Sequence, residues 1–104
     1  MFDKLLEAKQ KAEEVKKRLD GITVTGSAEG GKITVTATGN KAVRSIHIDE
    51  DFLKTADKEE LEDLITIAVN RALEQAESIH QSEMAALSQQ MLGGLGGLGN
   101  LFGK

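Results

Sequence analysis

The chain has 104 residues and a formal net charge of -4, and it contains no cysteine, proline, tryptophan or tyrosine. This composition excludes a disulfide scaffold and a thiolate metal site, and three phenylalanines are too few for broad platforms that stack single-stranded bases. No apolar run approaches the roughly 20 residues that cross a bilayer, and the charged N-terminal residues do not resemble a signal peptide. We therefore expect a soluble, cytoplasmic, single-domain protein.

The charge is divided unevenly between the two halves of the chain. Residues 1–48 hold nine Lys/Arg and six Asp/Glu, a net charge of +3, whereas residues 49–104 hold four and eleven, a net charge of -7. The net charge alone argues against contact with a polyanion. The basic first half keeps such contact open, because a local surface can differ in sign from the whole chain.

A helix is predicted over residues 2–20. Leu5, Ala8, Ala12, Val15 and Leu19 recur at alternating spacings of three and four, as in the apolar seam of a helix pair. Gly21 follows as a helix-ending residue. Two basic rows border the seam. The first row is Lys4, Lys11 and Arg18, and the second row is Lys9 and Lys16.

A β-hairpin is predicted around the glycine pair Gly30-Gly31, because glycine adopts the positive φ angles of two-residue hairpin turns. The paired residues are then Glu29 and Lys32, Ala28 and Ile33, Gly26 and Val35, Val24 and Ala37, Ser27 and Thr34, Thr25 and Thr36, and Thr23 and Thr38. One face of the hairpin is apolar and the other carries hydroxyl groups, as a half-buried antiparallel sheet requires.

A second turn at Gly39-Asn40 leads to a third predicted strand over residues 42–48. Ile46 and Ile48 share its apolar face. Extending a two-residue turn also places Arg44 on that face, which indicates either a slipped register or a strand end that reaches solvent.

Two helices are predicted after the third strand. Asp49 precedes a short helical turn through Phe52 and Leu53, and Asp57 stands three residues before Glu60, which is a capping-box pattern. The second of these helices is expected to run from residue 58 to about residue 90, because no helix breaker occurs there.

The long helix carries an apolar seam and a ridge of small residues, Ala68, Ala72 and Ala76, which allows another backbone to approach closely. At 1.5 Å per residue it is roughly 50 Å long, whereas a domain of this size is about 30 Å across. We therefore expect the helix to project and a second copy of the chain to cover its apolar side.

The composition changes at residue 93. The sequence GGLGGLGNLFGK holds six of the eleven glycines, too many for a helix or a strand. We expect one α+β domain over residues 1–92 and a flexible Gly/Leu-rich tail over residues 93–104.

Motifs for catalysis or cofactor binding are weak. Residues 26–32 match the G-x-x-x-x-G-K pattern of a phosphate loop, but Ile33 replaces the required Ser or Thr and a strand follows instead of a helix. The acidic residues near 49–60 suit helix N-termini better than a calcium loop. His47 and His80 lack partners at metal-ligand spacing. We predict no catalytic residue, metal site, cofactor or small-molecule substrate.

The two basic rows have two interpretations. They are either a solvated helix surface with local pairs such as Lys9 with Glu13, or an ordered surface that binds phosphate oxygens. The flanks of the long helix carry mainly alanine, serine, glutamine, leucine and histidine, so no acidic match to these rows is expected there.

The order of elements and four motifs resemble the small bacterial nucleoid-associated proteins of the YbaB/EbfC family. The motifs are VTG at 24–26, the Gly31-x-Ile33-x-Val35-x-x-x-Gly39 stretch, SIHID at 45–49 and LEDLITIAVNRAL at 61–73. The match covers about residues 1–90. The Gly/Leu repeat departs from the family, because many relatives carry a similar stretch near the N-terminus.

This resemblance implies an α+β fold made of an N-terminal helix, a three-stranded antiparallel meander and a long C-terminal helix. It also implies a tweezer-like homodimer that grips double-stranded DNA, acts in nucleoid organisation and gene expression, and lies in the cytoplasm at the nucleoid. Carried over by position, the DNA-binding residues are Lys4, Lys9, Lys11, Lys16, Lys17 and Arg18 of the first helix and Arg71 of the long helix.

Two functions therefore remain open from the sequence. The first is a dimer that contacts duplex DNA mainly through phosphates, because no Arg/Asn/Gln cluster is placed to distinguish base edges. The alternative is a protein-interaction module that uses the long apolar helix and the Gly/Leu tail and has no direct role on DNA.

Overall fold

The computed structural model describes the backbone of residues 2–94 and the side chains of residues 3–92. The elements in chain order are α1 (Phe2–Asp20), β1 (Thr23–Ala28), a single 3-10 turn (Glu29–Gly31), β2 (Ile33–Thr38), β3 (Val43–Ile48), α2 (Glu50–Thr55) and α3 (Lys58–Gly94). The α+β class and the order of helix, three-stranded antiparallel sheet and long helix are confirmed. Within the described residues, no helix is both long enough and apolar enough to span a membrane.

The predicted register of the first hairpin is confirmed from Thr23 opposite Thr38 to Ala28 opposite Ile33. The predicted pair of Glu29 and Lys32 is not part of this ladder, because Glu29 begins the 3-10 turn with a φ angle of +53°. The backbone N–H of Lys32 donates to the carbonyl of Glu29 over 3.2 Å and closes the turn. Gly30 and Gly31 have φ angles of +62° and +92°, which a residue with a side chain rarely adopts.

The irregularity expected at Arg44 is a β-bulge. Ser45 lies opposite Thr36 and Val43 lies opposite Ala37, so Arg44 is the extra residue between two regular pairs. The bulge moves Arg44 out of the alternating pattern and places Val43 beside Ile46 and Ile48 on the apolar face. Of the two explanations left open by the sequence, the shifted register is the one observed.

The core lies between α3 and one face of β1 and β2. The buried residues of this cluster are Val24, Ala28, Ile33, Val35, Ala37, Ala68, Ala72 and Ala76. The predicted ridge of alanines on α3 is fully buried, and the backbone that it meets is that of β1 at Gly26. A Cβ atom added to Gly26 would lie only 2.9 Å from Cα of Ala72 and even closer to two other backbone atoms of α3.

The helix starts follow the predicted caps. The carboxylate of Asp49 accepts the backbone N–H of Phe52 over 3.0 Å at the start of α2, and that of Asp57 accepts the N–H of Glu60 over 2.8 Å at the start of α3. These bonds satisfy backbone donors that have no partner within the helix. α3 then continues to Gly94, two residues into the predicted tail, whereas residues 95–104 lie outside the described residues.

A projecting arm is formed by α1 and the C-terminal half of α3. Val15 and Leu19 are buried and Ala8 and Ala12 are half-buried, so the predicted seam of α1 packs over most of its length. Leu5 is 68% exposed, so the seam is not covered at its N-terminal end within the described residues. The molecule extends over 64 × 27 × 16 Å, in agreement with a helix too long for its own domain.

The apolar face of the sheet is only partly covered. α3 packs mainly against β1 and β2, and β3 lies at the sheet edge beyond it. Val43 and Ile46 are therefore 43% and 46% exposed, although the register places them beside the buried Ala37 and Val35. Leu53 on α2 and Ile67 on α3 are exposed as well. Val43 and Ile46 are neighbours on one face of the edge strand β3, and exposed aliphatic side chains at a sheet edge are typical of an interaction surface.

Candidate nucleic-acid interface

The cations of α1 lie along the solvent side of the projecting arm. Lys4, Lys9, Lys16, Lys17 and Arg18 are exposed, and Lys11 beside the seam is half-buried. This placement follows from the helical period, because the seam residues face α3 and leave both flanks open. From Lys4 to Arg18 the helix rises about 21 Å, which matches roughly six phosphates along one strand of duplex DNA.

The base of the first row is held by an acidic residue of α3. The Nη2 and Nε atoms of Arg18 both donate to Oε1 of Glu83, over 2.6 and 3.0 Å. The expectation of no acidic match on the long helix was therefore wrong at this position. Glu83 follows Ile79 by one helical turn, so it belongs to the row that faces α1 and not to the neutral flanks.

The structure adds a cation that sequence patterns did not indicate. Lys41 lies in the β2–β3 loop with a φ angle of +67°, and its Nζ atom donates to Oε1 of Glu77 on α3 over 2.5 Å. This hydrogen bond and the positive charge of Lys41 lower the pKa of the Glu77 carboxyl. Gln81 donates a second hydrogen bond to Oε2 of the same carboxylate over 3.0 Å.

Asn40 fixes the position of this loop against α1. Its side-chain Nδ2 donates to the carbonyl of Lys16 over 2.9 Å and to Oδ1 of Asp20 over 2.5 Å. Lys41 is thereby brought next to the end of the second basic row, formed by Lys9 and Lys16. The sequence places Lys41 only in a turn, and its proximity to α1 depends on long-range packing that no local pattern reveals.

Arg71 lies apart from the cations of α1. Its Nη1 atom donates to the carbonyl of Ser27 over 2.7 Å, at the free edge of β1. A shallow polar depression beside it is lined by Thr25, Ser27, Glu74, Gln75 and Ser78. The structure thus brings together the six predicted cations of α1 and adds Lys41 to them, whereas the seventh predicted residue, Arg71, contacts the sheet.

The two histidines lie on different elements, His47 on the exposed strand β3 and His80 on α3. Across the part of the chain that the structure describes, no three His, Asp or Glu side chains come close enough to hold a metal ion. Over residues 3–20, α1 carries six Lys/Arg and five Asp/Glu, so positive charge is ordered in the two rows that flank its seam and does not extend to the arm as a whole. These rows suit electrostatic contact with anions.

The chain combines a first helix flanked by cations, a three-stranded meander and a long C-terminal helix in one α+β fold. The YbaB/EbfC DNA-binding family matches the chain over residues 1–91, and the chain belongs to this family.

Curated relatives match over most of their length. The chain is 37% identical to a nucleoid-associated protein of Flavobacterium johnsoniae over 102 residues, which cover 98% of this chain and 94% of that protein. It is 41% identical to a nucleoid-associated protein of Acetivibrio thermocellus over 90 residues, which cover 86% and 76%. The crystal structure of an uncharacterized protein from Helicobacter pylori has the same fold, with a TM-score of 0.63, 20% identity and coverage of 75% and 90%.

Proposed function

We propose that this chain is a nucleoid-associated protein that binds duplex DNA as a homodimer, mainly through the phosphates, and thereby influences nucleoid organisation and gene expression. The observation that carries the proposal is the exposed line of cations on α1, in a member of a DNA-binding family. The nucleoid-associated relatives support a location at the nucleoid.

Phosphate contact is favoured over base readout by the chemistry of α1. The helix presents mainly lysines, which act as flexible point charges. It has no cluster of Arg, Asn and Gln, the side chains that form bidentate hydrogen bonds with base edges. Contacts of this kind fix the position of the protein on the duplex with little sequence preference. Because the whole chain carries a net charge of -4, DNA is attracted only to the cation rows of α1. We therefore expect a modest affinity for DNA that falls steeply with salt.

The homodimer is supported by the uncovered apolar face at β3. Val43 and Ile46 continue the buried face of the sheet and yet remain about half exposed. Burial of this face against a second copy would stabilise the dimer by roughly 25 cal/mol for each Å² of apolar surface removed from water. Closed two-fold dimers are also the commonest soluble assembly. A two-fold pair would carry two projecting arms, which is the tweezer-like arrangement expected from the resemblance.

A salt titration of DNA binding tests the proposal. Fluorescence anisotropy with a duplex of random sequence should show binding at about 50 mM salt, and log K should fall linearly with log salt concentration. Replacement of Lys9, Lys11 and Lys16 by glutamate should abolish binding without changing the mass measured by light scattering. The matched control replaces Lys32, Lys54 and Lys58, which are exposed and lie away from α1, and should retain most of the affinity. Absence of binding by the unchanged protein at about 50 mM salt would refute the proposal.

The alternative function is a protein-interaction module, and one observation favours it. Leu5 and Leu6 near the free end of α1 are 68% and 55% exposed, and Met91 and Leu92 near the end of α3 are exposed as well. Such residues suit an apolar partner. If replacement of Leu5 and Leu6 by serine removes a cellular phenotype while DNA affinity is unchanged, the interaction module is favoured.

A further inference from the structure

At the base of the arm, two cations are paired with carboxylates of α3: Arg18 at the end of the first basic row, and Lys41 in the loop beside the end of the second row. The first row (Lys4, Lys11, Arg18) ends in Arg18, which contacts Glu83 over 2.6 Å. The second row (Lys9, Lys16) is continued in space by Lys41, which contacts Glu77 over 2.5 Å. We call Arg18–Glu83 and Lys41–Glu77 the basal ion pairs.

We propose that Lys41 is a further phosphate-binding residue of the DNA interface, and that Glu77 and Glu83 are internal counter-anions that DNA phosphates displace from Lys41 and Arg18. This inference rests on the proposed DNA-binding function and deepens it. It assigns a binding role to a loop residue outside both helices, and it assigns to two acidic residues the control of affinity.

The position of Lys41 supports its membership of the interface. Asn40 anchors the loop through its hydrogen bonds to the carbonyl of Lys16 and the carboxylate of Asp20. The loop therefore cannot move away from the last turn of α1 without breaking both bonds. A duplex that follows the second row toward the sheet meets Lys41 next, as the cation that succeeds Lys16.

The basal ion pairs are open enough to exchange partners. The side chains of Lys41 and Glu77 are 43% and 42% exposed, so this pair is open on both sides. Arg18 is 57% exposed and Glu83 is 26% exposed, so that pair is open mainly on the side of the cation. Ion pairs in this environment are weak, because water competes for both charges. A phosphate offers the same oxygen chemistry as the carboxylate, and duplex binding gains the entropy of counterion release in addition.

Until they are displaced, the two glutamates act against DNA binding in two ways. They neutralise the cations nearest to the sheet, and their own charges repel approaching phosphates. Each basal ion pair must therefore be broken before its cation can bind a DNA phosphate, and this lowers the affinity for DNA. A purely structural role would have Lys41 fasten the loop to α3 with no part in DNA binding, and the two roles predict opposite effects of removing Glu77.

Variants in which a neutral glutamine replaces one charged partner distinguish the two roles. Glu77→Gln and Lys41→Gln are compared with Glu62→Gln, in which the acidic partner of another exposed ion pair, Lys58–Glu62, is removed near the opposite end of α3. The Glu62→Gln variant makes the same change in net charge as Glu77→Gln, so it measures the general electrostatic effect of losing one negative charge. Circular dichroism confirms that each variant is folded before the affinity for duplex DNA is measured.

We expect Glu77→Gln to tighten DNA binding about two- to fivefold beyond the effect of Glu62→Gln, the range that corresponds to one exposed ion pair. Lys41→Gln should weaken binding and reduce the magnitude of the salt slope by about one, as for loss of one phosphate contact. In the Lys41→Gln background, the gain from Glu77→Gln beyond the Glu62→Gln control should shrink, because Glu77 then has no cation to release and only its repulsion of phosphate remains.

The inference is overturned if Glu77→Gln binds no more tightly than Glu62→Gln, or if Lys41→Gln leaves the salt slope unchanged. Its failure is distinct from failure of the proposed function. If the unchanged protein binds DNA and the triple glutamate variant of α1 does not, the proposed function stands even where both Gln variants contradict the role of the basal ion pairs. If the unchanged protein binds no DNA, both are refuted.

Discussion

Replacement of Gly26 by alanine tests the close crossing of α3 over β1. The added Cβ would lie 2.9 Å from Cα of Ala72, and closer still to the backbone nitrogen of Ala72 and the backbone oxygen of Ala68. All three atoms belong to the main chain of a helix, so no side-chain rotation relieves the overlap. The helix and the strand must separate.

The size of the effect follows from the separation that is needed. Carbon atoms in contact prefer about 3.5–4.0 Å, so the overlap with Cα of Ala72 requires a shift of about 0.6 Å. The closer overlap with the backbone nitrogen of Ala72 requires a shift of about 1 Å. A gap of this size forfeits about a quarter to a half of the dispersion energy between facing atoms. Because Ala68, Ala72 and Ala76 all pack against the sheet here, we expect destabilisation of about 3 kcal/mol, at the upper end of overpacking effects.

Urea unfolding followed by circular dichroism at a fixed protein concentration measures this free energy. The control is Gly21→Ala, in which the new Cβ would lie 3.5 Å from the carbonyl oxygen of Arg18, an ordinary contact. That variant should stay within about 0.5 kcal/mol of the unchanged protein. If Gly26→Ala costs less than about 1 kcal/mol, α3 does not lie against β1 as closely as described, and the reasoning is refuted.

Three further predictions follow from named contacts. An NMR titration should give the Glu77 carboxyl a pKa below its ordinary value, and Lys41→Met should raise that pKa. The ion pair therefore stabilises the folded state fully above the unfolded-state pKa of Glu77, and this contribution is lost as the pH falls through the lowered folded-state pKa. Asp49→Ala should cost about 1 kcal/mol in urea unfolding through loss of the cap on α2, whereas unchanged stability would contradict that role. Leu19→Ala, at a fully buried site, should cost about 2–5 kcal/mol, and a loss below 1 kcal/mol would show that α1 is not packed there.

Local chemistry made much of this fold predictable. The glycine pair at 30–31 located the turn, and the turn then predicted the six strand pairs from Thr23–Thr38 to Ala28–Ile33. Asp49 and Asp57 marked two helix starts, because a carboxylate at these positions satisfies free backbone donors. The alanine ridge predicted a close backbone approach, and its burial against Gly26 confirms that interpretation.

The candidate site was less predictable, because its geometry depends on contacts between distant residues. The rows on α1 follow from helical period, but the pairing of Arg18 with Glu83 joins residues 65 positions apart. Lys41 meets Glu77 across 36 positions, and the Asn40 bonds that place it also link separate elements. Arg71 shares a helix with these acids and yet contacts β1, because its position on α3 faces a different side.

The length of α3 turns its contact with β1 into the pivot of a lever. From Ala72, at the crossing, to the end of the helix at Gly94 the axis runs about 33 Å at 1.5 Å per residue. A tilt of about 10° at the crossing therefore moves the far end by about 6 Å over this length. α1 packs alongside and moves with it. Residues near the pivot that never touch a bound duplex would thus determine how wide two arms of a dimer open, and a change of one methyl group there would be magnified at the far end.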